Sequence, residues 1–73
     1  MPVMTTLGNR LKKLRLAAGL SQEQLGIEAG LEPASASARM NRYELGKRAP
    51  DAMTLENLGE VLNAPCLFLR QQR

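Results

Sequence analysis

The 73-residue chain has no histidine, a single cysteine (Cys66) and two aromatic residues, Tyr43 and Phe68. These scarcities exclude a disulfide within the chain, a Cys/His zinc site and most pairings of a nucleophile with a histidine base. Two aromatic side chains are too few for the stacking platforms that bind single-stranded nucleic acid. Its carboxylates are scattered singly, and no glycine-rich phosphate loop occurs. The sequence therefore predicts no metal, no cofactor and no enzymatic activity.

Long apolar runs are also missing. The stretch 66–69 is among the longest, far below the roughly 20 residues that a membrane-spanning helix needs. The first residues show no charged segment followed by an apolar one, so we expect no secretory signal. A lone cysteine without such a signal is typical of a reducing compartment. We therefore expect a cytoplasmic protein with no membrane association.

Charge is present in alternating blocks. The net charge is +3, but residues 1–20 carry +4, residues 21–34 carry −3, residues 35–50 carry +3, residues 51–69 carry −3 and the tail 70–73 carries +2. If the fold brings the two basic blocks to one side, the molecule is more polar than its net charge indicates.

Apolar residues recur at helical spacing along the chain, and no segment alternates like a strand. The first helix is predicted to end at Gly19, since glycine favours the left-handed conformation that follows a helix. The stripes predict a small core built from Leu7, Leu11, Leu14, Leu25, Met40, Tyr43, Leu55, Leu58 and Leu62.

The second helix carries dense local signals. Ser21 and Gln24 can form a capping box, which predicts a helix over 22–29 that stops at Gly30. Gly26 lies inside this helix, where glycine costs up to about 1 kcal/mol relative to alanine. A close approach by another helix would explain that cost.

The third helix is predicted from about Pro33 to Leu45, before Gly46, because proline suits a first helical position. Alternatively, Ser35 or Ser37 caps a shorter helix. Its inner stripe is Ala36, Met40 and Tyr43. Its other faces carry Ser37, Ala38, Arg39, Asn41 and Arg42.

A fourth helix follows a basic loop. Asp51 or Thr54 can cap it, and Pro65 to Leu69 indicates a short fifth helix. The predicted fold class is all-α, a compact bundle of about five short helices forming one domain over residues 1–73 with its core in 6–69.

A helix that begins Ser-Gln, has a small residue four positions after that Gln, ends at Gly and links briefly to an Arg/Asn/Ser-faced helix is a helix-turn-helix layout. Over about residues 7–69 the sequence resembles the Cro/lambda-repressor-like (XRE-type) family of DNA-binding domains. The matching stretches are 10–15 (RLKKLR), 19–25 (GLSQEQL), Gly30, 40–47 (MNRYELGK), Pro50 and 55–62.

The resemblance has one departure. Between Ser21 and Gly46 the chain has about four residues more than the phage repressors of this helix-turn-helix class. The surplus falls in 31–37, so either the turn is longer or the third helix begins a turn earlier. The positions most affected are Ser35 and Ser37.

The resemblance implies a set of site residues, each of which also has a plainer interpretation as a solvated surface side chain. Base-reading positions would be Ser37, Ala38, Arg39, Asn41 and Arg42. Phosphate contacts would be Gln22, Lys47 and Arg48. A structural ion pair would join Arg15 and Glu44. Apart from the resemblance, the dense apolar cluster of Leu67, Phe68 and Leu69 either closes the core or forms a dimer contact, and Cys66 is a half-buried inert thiol or a bridge between chains.

The function that the resemblance implies is sequence-specific binding of double-stranded DNA by a transcriptional regulator, with a repressor favoured. A homodimer would bind a near-palindromic operator through a recognition helix over about 33–45. The alternatives are an antitoxin or a restriction–modification controller with the same fold, which would have a toxin or another protein partner. The third alternative is a protein-interaction module that has lost DNA binding.

Overall fold

The computed structural model describes residues 3–64 of the chain, with side chains from Leu7 onward. This part contains four α-helices and no strand: α1 (Val3–Ala17), α2 (Gln22–Glu28), α3 (Pro33–Glu44) and α4 (Ala52–Val61). The all-helical prediction is confirmed, with four of the expected helices in the described residues. The fifth predicted helix, Cys66 and the candidate dimer contact of Leu67, Phe68 and Leu69 lie outside them.

Two helices begin at the side-chain caps that their sequences favour. The Ser21 hydroxyl accepts a hydrogen bond from the Gln24 backbone N–H at 3.0 Å, and the Gln24 side chain accepts one from the Ser21 N–H at 2.9 Å. This reciprocal capping box was predicted, and it satisfies two donors that a helix start leaves unpaired. At α4 the Asp51 carboxylate accepts from the Thr54 N–H at 2.8 Å, so the cap is Asp51.

The start of α3 decides between the two interpretations of the surplus length. Pro33 is the first helical residue, and Glu32 before it makes no side-chain cap. The alternative of a shorter helix capped by Ser35 or Ser37 is therefore wrong. Four residues, 29–32, separate α2 from α3, which is the ordinary length of a helix-turn-helix link. The surplus thus lengthens α3 at its N-terminus.

All four helices end in the same way. After α2, the Gly30 N–H donates to the Ile27 carbonyl and the Leu31 N–H to the Gly26 carbonyl, at 3.0 and 2.9 Å. This pair of bonds is the Schellman motif, which requires a left-handed residue, here Gly30 with φ 97°. Equivalent pairs follow α1, α3 and α4, and on α4 the left-handed residue is Asn63 with φ 53°.

The core lies between the four helices. Seven of the nine predicted core residues are buried, whereas Leu14 and Leu62 are only partly buried and pack against the rest. The core also takes in three residues that the helical stripes omit, Ala29, Leu31 and Ala64. Leu31 and Ala64 directly follow the left-handed residues of two helix ends, where the Schellman motif turns an apolar side chain back onto its helix.

Two glycines allow α3 to lie unusually close to its neighbours. A Cβ on Gly26 of α2 would stand 2.8 Å from the Cβ of Ala36 on α3. A Cβ on Gly8 of α1 would stand 2.7 Å from the Tyr43 carbonyl oxygen and closer still to that of Glu44. Close approach at Gly26 was predicted, and that at Gly8 was not. Together they fix α3 against α1 and α2.

Candidate nucleic-acid interface

The outer face of α3 carries the predicted base-reading residues. Ala36, Met40, Tyr43 and Glu44 are buried against the body. By contrast, the predicted base-reading side chains are all exposed: Ser37, Ala38, Arg39, Asn41 and Arg42. Twelve residues make a helix about 18 Å long, and a B-DNA major groove about 12 Å wide admits such a helix.

A buried ion pair fastens the C-terminal end of α3 to α1. Arg15 donates through Nε to Glu44 Oε2 at 2.6 Å and through Nη2 to Glu44 Oε1 at 3.1 Å. The two side chains are only 10% and 3% exposed. Arg15 Nη1 also donates to the Leu20 carbonyl at 3.0 Å, so the guanidinium ties α1, the α1–α2 turn and α3 together. The arrangement is the bidentate geometry that makes such pairs strong and directional.

Gln22 connects the start of α2 to the same cluster. Its Nε2 donates to Glu44 Oε1 at 3.2 Å and lies 3.4 Å from Asn41 Oδ1. Gln22, predicted to contact phosphate, and Asn41, predicted to read a base, are thus neighbours in the structure. Their contact places the N-terminus of α2 at one edge of the exposed face of α3.

The opposite edge of that face borders an open hollow of about 300 Å³. Its lining combines α3 with the loop that follows it: Ser35, Arg39, Arg42, Tyr43 and Arg48. Arg39 Nη2 donates to the Tyr43 hydroxyl at 3.2 Å. Arg48, predicted to contact phosphate, therefore lies beside Arg39 and Arg42, predicted to read bases. Lys47 is exposed in the same loop but does not line the hollow.

The hollow is positively charged. Within the described part of the chain, none of its three arginines forms an ion pair with a carboxylate. Hydrogen bonds from Thr54 hold the pKa of Asp51 below its ordinary value, and the positive charge of Arg39 lowers that pKa further. The Asp51 carboxylate is thereby engaged as the cap of α4.

Ser35 and Tyr43 are the lining residues that the sequence interpretation did not assign to a site. The spacing of Ser35, Arg39 and Arg42 is a signal for one shared helix face, since residues four and three apart are neighbours on a helix. Arg48 carries no such signal, because its approach depends on the path of the loop. Among the described residues, no group of three or more acidic, histidine or cysteine side chains is suited to a metal ion. None of the described helices is long and apolar enough to span a membrane.

Known proteins resemble this chain in both sequence and structure. It is 31% identical over 67 residues to an uncharacterized HTH-type transcriptional regulator of Sinorhizobium medicae, covering 92% of this chain and 45% of that one. It is 36% identical over 62 residues to the SPbeta prophage-derived uncharacterized HTH-type transcriptional regulator YonR of Bacillus subtilis, covering 85% and 54%. The chain thus spans about half the length of these relatives.

A solved structure extends the likeness to three dimensions. The crystal structure of the transcriptional regulator BswR superimposes with a TM-score of 0.73 at 50% identity, over 77% of this chain and 55% of that one. In sequence, residues 6–66 match the family described as "Helix-turn-helix domain". This match runs from within α1 to beyond the end of α4 and includes the α2–α3 unit. The chain is a member of the helix-turn-helix domain family.

Proposed function

We propose that this chain is the DNA-binding domain of a transcriptional regulator and that α3 enters the major groove of double-stranded DNA. One observation carries the proposal: the polar, basic outer face of α3 is exposed while its inner face is locked to the body by the buried Arg15–Glu44 pair. A rigid helix with an exposed face of this kind suits base reading, which needs fixed side-chain positions. The names of the relatives support the same role.

Specificity comes in this proposal from side chains on the exposed face of α3. Arg42 suits a bidentate contact to guanine, and Asn41 suits one to adenine. Ala38 is small enough to contact a thymine methyl group, and Ser37 can bond to several bases. Arg39 lies at the edge of this face, beside the hollow.

Affinity comes mainly from phosphate contacts, as in most DNA-binding proteins. Gln22 flanks the exposed face on one side, while Lys47 and Arg48 lie in the loop on the other. These residues would meet the backbone on either side of the groove. Such contacts fix the register of α3 without reading sequence.

The regulatory mechanism that we propose is repression by occupation of an operator. Helix-turn-helix proteins of this kind bind as dimers, with half-sites about 34–36 Å apart. A homodimer on a near-palindromic operator follows from that geometry. A protein that acts on DNA must be in the compartment that holds the DNA, which agrees with the cytoplasmic location expected from the sequence.

Selection of binding sites from a random duplex pool tests this function, with a gel-shift titration of the selected duplex at several salt concentrations. We expect enrichment of a defined half-site repeated in inverted orientation and a steep loss of affinity with salt. A pool that stays random after selection would contradict sequence-specific binding. A single unpaired half-site would contradict the dimer.

A protein-interaction role is the second candidate, favoured by four large apolar side chains that are exposed in the described residues: Leu16, Ile27, Leu45 and Met53. In this case a toxin or another protein is the partner, with or without DNA. The same gel-shift titration separates the two functions. No shift on any duplex, even in low salt, would favour the protein-interaction role.

A further inference from the structure

We propose that the hollow beside α3 is a binding site for a phosphate group, held by Arg39 and Arg48 with the Ser35 hydroxyl. Arg39 is then a phosphate contact and does not read a base. Where the phosphate belongs to DNA, this inference rests on the proposed function. The chemistry of the hollow itself does not depend on it.

The hollow concentrates hydrogen-bond donors and positive charge. Ser35, Arg39 and Arg42 share one side of α3, and Arg48 approaches from the loop. Each guanidinium presents five N–H donors in a planar fork that matches the oxygens of a phosphate. Within the described residues these arginines have no carboxylate ion-pair partner. An anion bound among them would relieve their mutual repulsion.

A hydrogen bond turns the Arg39 guanidinium toward the hollow. Its Nη2 donates to the hydroxyl of Tyr43, a buried residue that also lines the hollow. Its charge lowers the pKa of Asp51, at the start of α4. Arg39 is also rotated about 100° around the helix from Ala38. Asn41 and Gln22 meet on the other edge of α3, so Arg39 and Asn41 face different surroundings.

The size of the hollow sets the class of ligand. Its volume of about 300 Å³ is at the lower end for small-molecule sites, so it has room for a phosphate group and part of the molecule that carries it. That phosphate has two sources, a backbone phosphate of bound DNA or a free phosphorylated molecule. Both require the same arginines.

The first arm of the test uses inorganic phosphate without DNA. Backbone and arginine Nε–H signals are followed by NMR while phosphate is added, against sodium chloride at equal ionic strength. We expect saturable shifts confined to the neighbourhood of the hollow and lost in Arg39→Gln. Lys13→Gln, which removes one exposed charge from α1, is the matched control and should keep them. Equal shifts with chloride, or shifts spread over all basic residues, would overturn the proposal.

The second arm uses DNA and compares a selected duplex with a scrambled one. If the hollow holds a backbone phosphate, Arg39→Gln weakens binding to both duplexes by the same factor. It also reduces the slope of log affinity against log salt by about 0.9. A loss confined to the selected duplex, with the slope unchanged, would make Arg39 a base contact and overturn the proposal. Melting curves confirm that the variant is folded.

The two arms separate the possible outcomes. A reduced salt slope assigns the phosphate to DNA. Saturation by inorganic phosphate, with a salt slope and duplex affinities that Arg39→Gln leaves unchanged, assigns it to a free phosphorylated ligand. If wild type binds no duplex at all, the proposed function fails, but the phosphate titration still decides what the hollow binds. If neither arm responds to Arg39→Gln, the proposal is wrong.

Discussion

The contact between Arg15 and Glu44 removes two charges from water, and such burial is costly unless every polar atom finds a partner. Here the carboxylate accepts two bonds from Arg15 and one from Gln22, and the guanidinium also donates to the Leu20 carbonyl. No buried side-chain nitrogen or oxygen in the described part of the chain lacks a partner. At the scale of single residues, the position of α3 therefore depends on a fully bonded cluster.

Replacing Glu44 by alanine should strongly destabilise the fold, because it leaves the Arg15 guanidinium buried without its counter-charge. We expect a loss of about 3–5 kcal/mol in the free energy of unfolding, measured by urea denaturation. DNA affinity should fall in parallel, since α3 loses its anchor. Glu56→Ala, which removes an exposed carboxylate from α4, is the control and should change stability little. Equal stability of both variants would contradict a structural role for the pair.

Gly26→Ala tests the close contact of α2 with α3. Alanine is the better helix former by about 1 kcal/mol, but its Cβ would lie 2.8 Å from that of Ala36. We expect the steric cost, about 1–3 kcal/mol for an overpacked site, to prevail and lower the melting temperature. In an Ala36→Gly background the same change should be less destabilising. An increase in stability from Gly26→Ala alone would show that the backbones separate easily.

At the scale of elements, the sequence specifies where a helix ends more fully than it specifies which helices contact each other. The capping box at Ser21 and the stops at Gly19 and Gly30 are local features, so they could be predicted from neighbouring residues. Helix α2 ends at Glu28, one residue before its predicted end. Leu31 and Ala64 were missed as core residues because they lie after helix ends, where helical spacing no longer applies. Ala29 was missed although it lies four residues after Leu25, at helical spacing.

Contacts between elements were less accessible to sequence reasoning. The exposed residues of α3 follow from the inner stripe, because the outer face is what remains. The contact of Gly8 with the carbonyls of α3 joins segments distant in the chain, and the approach of Arg48 to Arg39 depends on the path of the loop after α3. No local pattern determines either one. The site was therefore predictable as a helix face but not as a hollow.

The cap of α4 predicts how stability changes with pH. Hydrogen bonds from Thr54 lower the pKa of Asp51 from its ordinary value of 3.8. A carboxyl whose pKa is lower in the folded state stabilises the fold above its unfolded pKa, and the effect is lost as pH falls through the folded pKa. In Asp51→Asn, which keeps a good cap without titrating, the melting temperature should fall less between neutral and acidic pH. Identical pH profiles of both proteins would contradict this role.

At the scale of the whole molecule, the net charge of +3 conceals an uneven distribution. The block 35–50 places Arg39, Arg42 and Arg48 around one hollow, while its only acidic residue, Glu44, is buried in the ion pair with Arg15. The exposed charge of this block is therefore entirely positive. A surface of this kind attracts the DNA backbone and makes binding dependent on salt.

Fluorescence anisotropy on the selected duplex and on duplexes with single base-pair changes measures whether the outer face of α3 reads DNA sequence. Arg42→Ala should weaken binding to the selected duplex by about 1–3 kcal/mol and lose the preference at one base pair. Lys13→Ala should keep both affinity and preference. An equal loss on every duplex would make Arg42 a phosphate contact. Equal binding of all duplexes by the wild-type chain would contradict sequence reading by α3.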